Sequence, residues 1–170
     1  MKDVMFVDTV MIKFLDSILV IDEKPFYYLK HNDGKIENGG VLYGYKLLGK
    51  EEYIITGNTS KQIDDYASEC SFIRNSSHHS EVINNLWIND NSIMYLGDWH
   101  SHPVDFVQLS STDKKTFRKI CKSCISSSKY LFFVVSAIKE MVIYIYERGN
   151  KKLISTSTIF YEKGDEKNEK

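Results

Sequence analysis

At 170 residues, with 42% hydrophobic and 13% aromatic side chains, the chain is long enough to bury one core without staples and too apolar to be disordered. A formal net charge of -1 gives no electrostatic basis for binding nucleic acid or anionic lipid, and the short basic pairs Lys114-Lys115 and Lys151-Lys152 read as solvated faces. An odd count of three cysteines, no basic-then-apolar N-terminus and no apolar run long enough to span a bilayer predict a soluble cytoplasmic protein in a reducing compartment.

In chain order, the apolar residues Val10, Met11, Phe14, Leu15, Ile18 and Leu19 approximate an i, i+3, i+4, i+7 pattern, which predicts an amphipathic helix over 8–21, broken by Lys24-Pro25. Asn32-Asp33-Gly34 centres a turn over 31–35. Val41 to Leu48 and Glu52 to Thr56 read as strands around a turn at Gly49-Lys50, and the polar stretch 59–71 as loop. Helices are predicted over 77–87 and 112–126, separated by a buried strand over 92–99. Three runs rich in Val, Ile, Tyr, Phe and Thr (130–138, 140–146 and 153–161) read as closing strands. The expected architecture is α/β: a single domain over 1–162, with a mixed, mainly antiparallel sheet flanked by helices, then a charged disordered tail over 163–170. Heavy use of Lys, Asn, Ile, Ser and Tyr points to an AT-rich bacterial or phage genome.

The chemistry-bearing stretch is His100-Ser101-His102-Pro103, followed by Ser110 and Asp113. Residues i and i+2 of an extended segment project to one side, so His100 and His102 can meet one metal ion at a strand end, and Pro103 biases His102 toward extended backbone. Two surface histidines are the plainer reading. Ser110-x-x-Asp113 at a loop-to-helix junction is also a capping-box pattern, which is compatible with metal ligation. Two His and one Asp with no fourth protein ligand leave a position open, as catalytic zinc sites do. A general base is available in Glu37, which precedes Gly39-Gly40 at the start of a strand, where glycines permit close backbone approach. Asp98, two residues before His100, competes for that role, and Glu51, Glu52 and Asp105 compete on composition alone.

Glu37-Asn38-Gly39-Gly40 before an apolar strand, then Trp99-His100-Ser101-His102-Pro103, then Ser110-x-x-Asp113, resembles the JAMM (MPN-plus) zinc metalloproteases, in particular their prokaryotic JAB branch. Gly39 to Gly44, Phe72-Ile73-Arg74 and Tyr95 to Trp99 extend the likeness along most of the chain. The resemblance implies that His100, His102 and Asp113 bind Zn²⁺. Glu37 would orient and deprotonate the metal-bound water, and Ser110 would help stabilise the oxyanion. It also implies an isopeptidase or peptidase that cuts after the C-terminal glycine of a ubiquitin-like protein or its conjugate, whose extended tail adds as a strand beside the sheet. For the prokaryotic branch it implies anti-phage conjugation systems in which the conjugate is a cyclic-nucleotide synthase, a CD-NTase. Asp98 then becomes a neighbour, with a bond to a ligand histidine as one role open to it. Leu109 stands where many prokaryotic members have proline before the serine.

Cys121-x-x-Cys124 lies inside a predicted helix, away from its N-terminus, so both thiols read as small apolar packing groups. The adjacent pair His78-His79 reads as surface histidines. Two other classes compete with the enzyme. A non-catalytic MPN-type scaffold predicts missing ligands, and a RadC-like DNA-associated protein predicts a basic segment. Neither feature is present in the sequence.

Overall fold

The computed structural model describes residues 9–30 and 35–161. The centre of the predicted turn at Asn32-Asp33-Gly34 and the charged tail lie outside the described residues.

The described residues open with a hairpin, not a helix: β1 (Val10–Phe14) pairs antiparallel with β2 (Ser17–Ile21), joined at Leu15-Asp16. Leu15 takes a positive φ of 48°, the geometry of a tight hairpin turn. The apolar residues that match a helical period also contain an alternating set. Ile12 and Phe14, then Ser17, Leu19 and Ile21, are buried, with partly or fully exposed residues between them. β-branched Val10, Ile12, Ile18, Val20 and Ile21 favour the pleated alternative. Pro25 likewise starts an element instead of ending one. It sits in the first turn of α1 (Glu23–Lys30), where its missing N–H would have no intrahelical partner, and it is buried with Phe26 and Leu29.

The later elements follow the predicted order, except that a two-strand ribbon forms in and just after the stretch 59–71 expected as loop. They are β3 (Gly39–Lys46), β4 (Glu52–Asn58), a short hairpin β5 (Tyr66–Ala67) and β6 (Phe72–Ile73), α2 (His78–Asn89), β7 (Met94–Ser101), α3 (Ser111–Ser123), β8 (Tyr130–Ser136), β9 (Glu140–Glu147) and β10 (Lys152–Phe160). Eight strands form one sheet in the order β1-β2-β4-β3-β7-β8-β9-β10, with β5 and β6 as a separate ribbon. Only β2–β4 and β7–β8 are parallel, so the sheet is mixed and mainly antiparallel. The β7–β8 connection carries α3, as a parallel crossover requires.

β8 is buried along its whole length because both of its faces are covered. Tyr130, Phe132 and Val134 join Leu19, Ile55 and Trp99 in the larger cluster, which also takes Phe26 and Leu29 of α1. Leu131, Phe133 and Val135 join Phe117 and Cys121 of α3. A register shift beside Gly97 sets the phase of β7. Gly97 has a φ of +150°, and a Cβ there would lie 1.8 Å from the Phe132 carbonyl oxygen, so only glycine fits. Past this bulge Trp99 faces the larger core, and His100 faces Phe117 of α3 at 6.2 Å between ring centroids.

The Phe117 and Phe133 rings stack at 4.2 Å and fasten α3 to the sheet. Phe133→Ala is therefore expected to cost about 3–5 kcal/mol, read as a lower urea midpoint. Leu48→Ser, at a fully exposed turn position, should stay within about 0.5 kcal/mol of wild type.

Candidate metal centre and hydrolytic site

Glu37 reaches the histidines through the β3–β7 pairing. Gly39 stands opposite His100 and Gly40 opposite Trp99. Beyond the ladder, Ser101 N–H donates to the Asn38 carbonyl at 2.8 Å, and Asn38 N–H donates to Ser101 Oγ at 2.9 Å. The serine between the two histidines is thus a fastening for the residue next to Glu37, a role that its sequence position gave no means of reading. Gly40 is needed because a Cβ there would stand 2.2 Å from the Thr59 carbonyl oxygen. Glu37 N–H donates to Ser68 O at 2.8 Å, and the Glu37 carboxylate lies 3.8 Å from His102 Nε2.

His100 and His102 point their Nε2 atoms at each other across 3.0 Å, and His100 Nε2 is 3.5 Å from Asp113 Oδ1. Tetrahedral ligands about 2.0–2.1 Å from a metal stand about 3.3 Å apart, so these separations fit one ion. Two imidazole lone pairs facing at 3.0 Å repel unless a cation or proton lies between them. His100, His102 and Asp113 form the one group of at least three potential metal-ligating residues found among the described residues, with ligand atoms within 4.8 Å of one another. The three residues therefore fit a metal.

Asp113 performs two tasks with two oxygens. Its Oδ2 accepts from Ser110 N–H at 2.9 Å and from Ser110 Oγ–H at 2.6 Å. Asp113 N–H in turn donates to Ser110 Oγ at 3.0 Å. This is a complete capping box at the N-terminus of α3, and it leaves Oδ1 facing His100. The capping and ligand readings of this segment are compatible in the same side chain. Ser110 itself is exposed at the edge of the cleft.

Burial sets the charge states. It pushes the Glu37 carboxyl up to about 7, with the charge of Asp113 adding to the effect. Burial also holds the His100 imidazole down at about 4, helped by His102 and opposed by Asp113. His102 is lowered by burial against the same opposing charge. At neutral pH the pocket thus offers unprotonated imidazoles for a metal and a carboxyl able to take or give a proton. A cleft of about 1040 Å³ contains Glu37, His100, His102, Ser110 and Asp113 together. Its walls are the Glu69–Arg74 segment and the loop from Pro103 to Phe106.

The rival carboxylate is committed elsewhere. Asp98 accepts from the Tyr95 hydroxyl at 2.6 Å and pairs with Arg74 at 3.3 Å, so its assigned bonds go to these groups and not to a ligand histidine. Cys121 is buried in the α3 core and Cys124 packs against it, as apolar groups do. Leu109, in the place of the proline, also packs against this cluster. The histidine pair departs from expectation. His78 is exposed, but His79 is fully buried and hydrogen-bonded at both ring nitrogens. Successive helical residues point about 100° apart, so one of an adjacent pair can face inward. No described helix is long and apolar enough to cross a membrane.

The family model for prokaryotic homologs of the JAB domain matches residues 24–148. A "CD-NTase/cGAS isopeptidase" from Escherichia coli is 28% identical over 121 residues, covering 69% of this chain and 74% of the relative. A protein with the same description from Vibrio cholerae is 27% identical over 101 residues, covering 58% of this chain and 61% of that one.

Glu37 holds its proton more tightly folded than unfolded, so between pH 4.5 and about 7 its contribution to stability falls as pH rises. In chelator-treated protein, Glu37→Gln should therefore gain stability over wild type as pH rises through that window, by at most roughly 3 kcal/mol. Urea titrations at pH 5 and pH 8 measure it. An equal difference at both would contradict a carboxyl desolvated in the fold.

Proposed function

The chain belongs to the prokaryotic JAB-domain family, and on that footing we propose that it is a zinc-dependent isopeptidase. Its reaction is hydrolysis of the amide after the C-terminal glycine of a ubiquitin-like protein, with a CD-NTase conjugate as the substrate. The observation that carries this reading is the convergence of Glu37, from the start of β3, on the His100, His102 and Asp113 set within one cleft. The description shared by the two relatives supports the conjugate class.

His100, His102 and Asp113 would hold the zinc ion. When bound, it supplies a Lewis acid that polarises the scissile carbonyl and brings the pKa of water near 7. Glu37 is matched to that task. Its carboxylate stands beside the ligand set, 3.8 Å from His102 Nε2, where it can accept a proton from water and return it to the leaving lysine amine. Ser110 stands where its hydroxyl can turn from Asp113 Oδ2 toward a developing oxyanion. Its oxygen keeps the Asp113 N–H bond as it turns, so the cap survives the donation. The substrate tail lies extended between the Phe72–Arg74 segment and the Val104–Phe106 loop, as the cleft walls allow.

Purified protein should carry about one zinc per chain, and His102→Ala should abolish that binding. Glu37→Gln should retain zinc while slowing cleavage of a glycine–lysine isopeptide by about 10²–10⁴-fold. A metal-loaded Glu37→Gln enzyme of wild-type rate would remove Glu37 as the base.

Ser110→Ala and Ser110→Gly separate oxyanion donation from capping. Both should lose about 10²–10³ in kcat. Alanine should also cost about 1 kcal/mol of stability, and glycine only a few tenths. A rate loss confined to alanine would assign Ser110 to the cap alone.

A further inference from the structure

Behind the cleft wall lies a buried chain of hydrogen bonds that the hydrolytic reading does not use. His79 has no exposed surface. Its Nδ1 is 2.6 Å from Thr59 Oγ1, and its Nε2 is 2.8 Å from Asp65 Oδ2. The side chains of His79 and Asp65 are both fully shielded from solvent.

Each end of this chain is tied to backbone. Asp65 Oδ2 also accepts from Gln62 N–H at 2.8 Å, and Oδ1 accepts from Asn75 N–H at 2.8 Å and Ser76 N–H at 2.9 Å. One carboxylate therefore closes the whole segment 62–76, which carries the β5–β6 ribbon and the Glu69–Arg74 wall. At the other end, Thr59 Oγ1 accepts from Val41 N–H at 2.9 Å, and Thr59 O accepts from Trp99 Nε1–H at 2.8 Å. Val41 follows the glycines after Glu37, and Trp99 precedes His100. With Thr59 O–H donating to Nδ1 and Nε2–H donating to Asp65, the ring nitrogens and hydroxyl all have partners. Burial alone would raise the Asp65 carboxyl, but bonds from Ser76, Gln62, His79 and Asn75 hold it at about 2.

We propose that Asp65, His79 and Thr59 form a positioning relay that fixes the Glu69–Arg74 wall of the cleft relative to β3 and β7, and so sets how firmly the extended substrate tail is held. This rests on the isopeptidase reading for its substrate, but not for its geometry. The relay touches none of the proposed metal ligands. Glu37 N–H donates to Ser68 O, just before the wall, while Asn38 beside it is held by the reciprocal bonds with Ser101 of β7. Loss of the relay should therefore weaken binding of substrate more than it slows the chemistry.

The test uses full-length, zinc-loaded protein with Thr59→Val, His79→Ala and His79→Gln. The probe is a fluorescent peptide whose C-terminal glycine is joined to a lysine ε-amine. Thr59→Val keeps the shape but removes the hydroxyl, and remains informative if His79→Ala does not fold. Each of Thr59→Val and His79→Ala removes two buried hydrogen bonds, and the expected result is a KM raised at least about tenfold, with kcat within about threefold. Zinc content should be unchanged. His79→Gln can still reach Asp65 and should recover part of the loss. Hydrogen exchange should rise within 62–76 and stay at wild-type levels across α3 and β8–β9. A fall in kcat or zinc content with KM unchanged would overturn the relay. Exchange that rises everywhere, or nowhere, would do the same. If wild-type protein leaves the probe uncut, the isopeptidase reading fails, and the exchange pattern alone still decides the relay.

Discussion

The register of β3 against β7 is the constraint from which the site follows. Gly39 opposite His100, extended by the reciprocal bonds between Asn38 and Ser101, brings together two segments 63 residues apart. Strand registers admit no half-measures: a slip of one residue would reverse every side chain on β7. His100 would then face the larger core and Trp99 the cleft. Three features resist such a slip. The Gly97 bulge pins the phase, Gly40 allows β3 to meet Thr59, and Trp99 is anchored by its indole N–H on Thr59 O. A site built across two strands inherits the rigidity of the ladder, which a site carried on loops would lack.

The same pairing gathers groups that do not favour one another. Glu37 and Asp113 are both acids in a pocket largely withdrawn from water, beside two imidazoles whose charged forms burial disfavours. Such a set is a cost to the fold. A divalent cation would reverse the local electrostatics, favouring both carboxylates and occupying the imidazole lone pairs. The pocket is therefore better suited to a metal than to the protons that would otherwise have to compensate it. That the strain is concentrated where the cleft opens is what a functional site leads one to expect.

The core of this arrangement was legible because its spacing is local. His100, His102, Ser110 and Asp113 lie on one strand end and the following helix start, so period and capping rules apply directly. Glu37 is suggested locally by the glycine pair that follows it, but only the family resemblance separates it from Asp98 as the base. What escaped had non-local causes. The N-terminal hairpin replaces the expected helix because Phe14 and Leu19 belong both to the helical set and to the alternating buried one. Its turn is made by Leu15 at positive φ, without the usual glycine or asparagine. His79 looked superficial because its partners are 14 and 20 residues upstream. Pro25 reads as a stop in the sequence, whereas the fold places it in the first turn of α1.

The start of α3 shows why a capping pattern and a metal-binding pattern can share one sequence without competing. A carboxylate has two oxygens, and a first-turn side chain bends back toward the segment that precedes the helix. Oδ2 of Asp113 is held by the Ser110 N–H and hydroxyl, which fixes the plane of the carboxylate. Once that plane is fixed, Oδ1 has little freedom left, and it points at His100. The cap thus gives Asp113 the outer support it would need as a metal ligand. It does so within the first turn of α3. Capping was the plainer interpretation of Ser110-x-x-Asp113 and remains correct. It is also the means by which Asp113 is aimed.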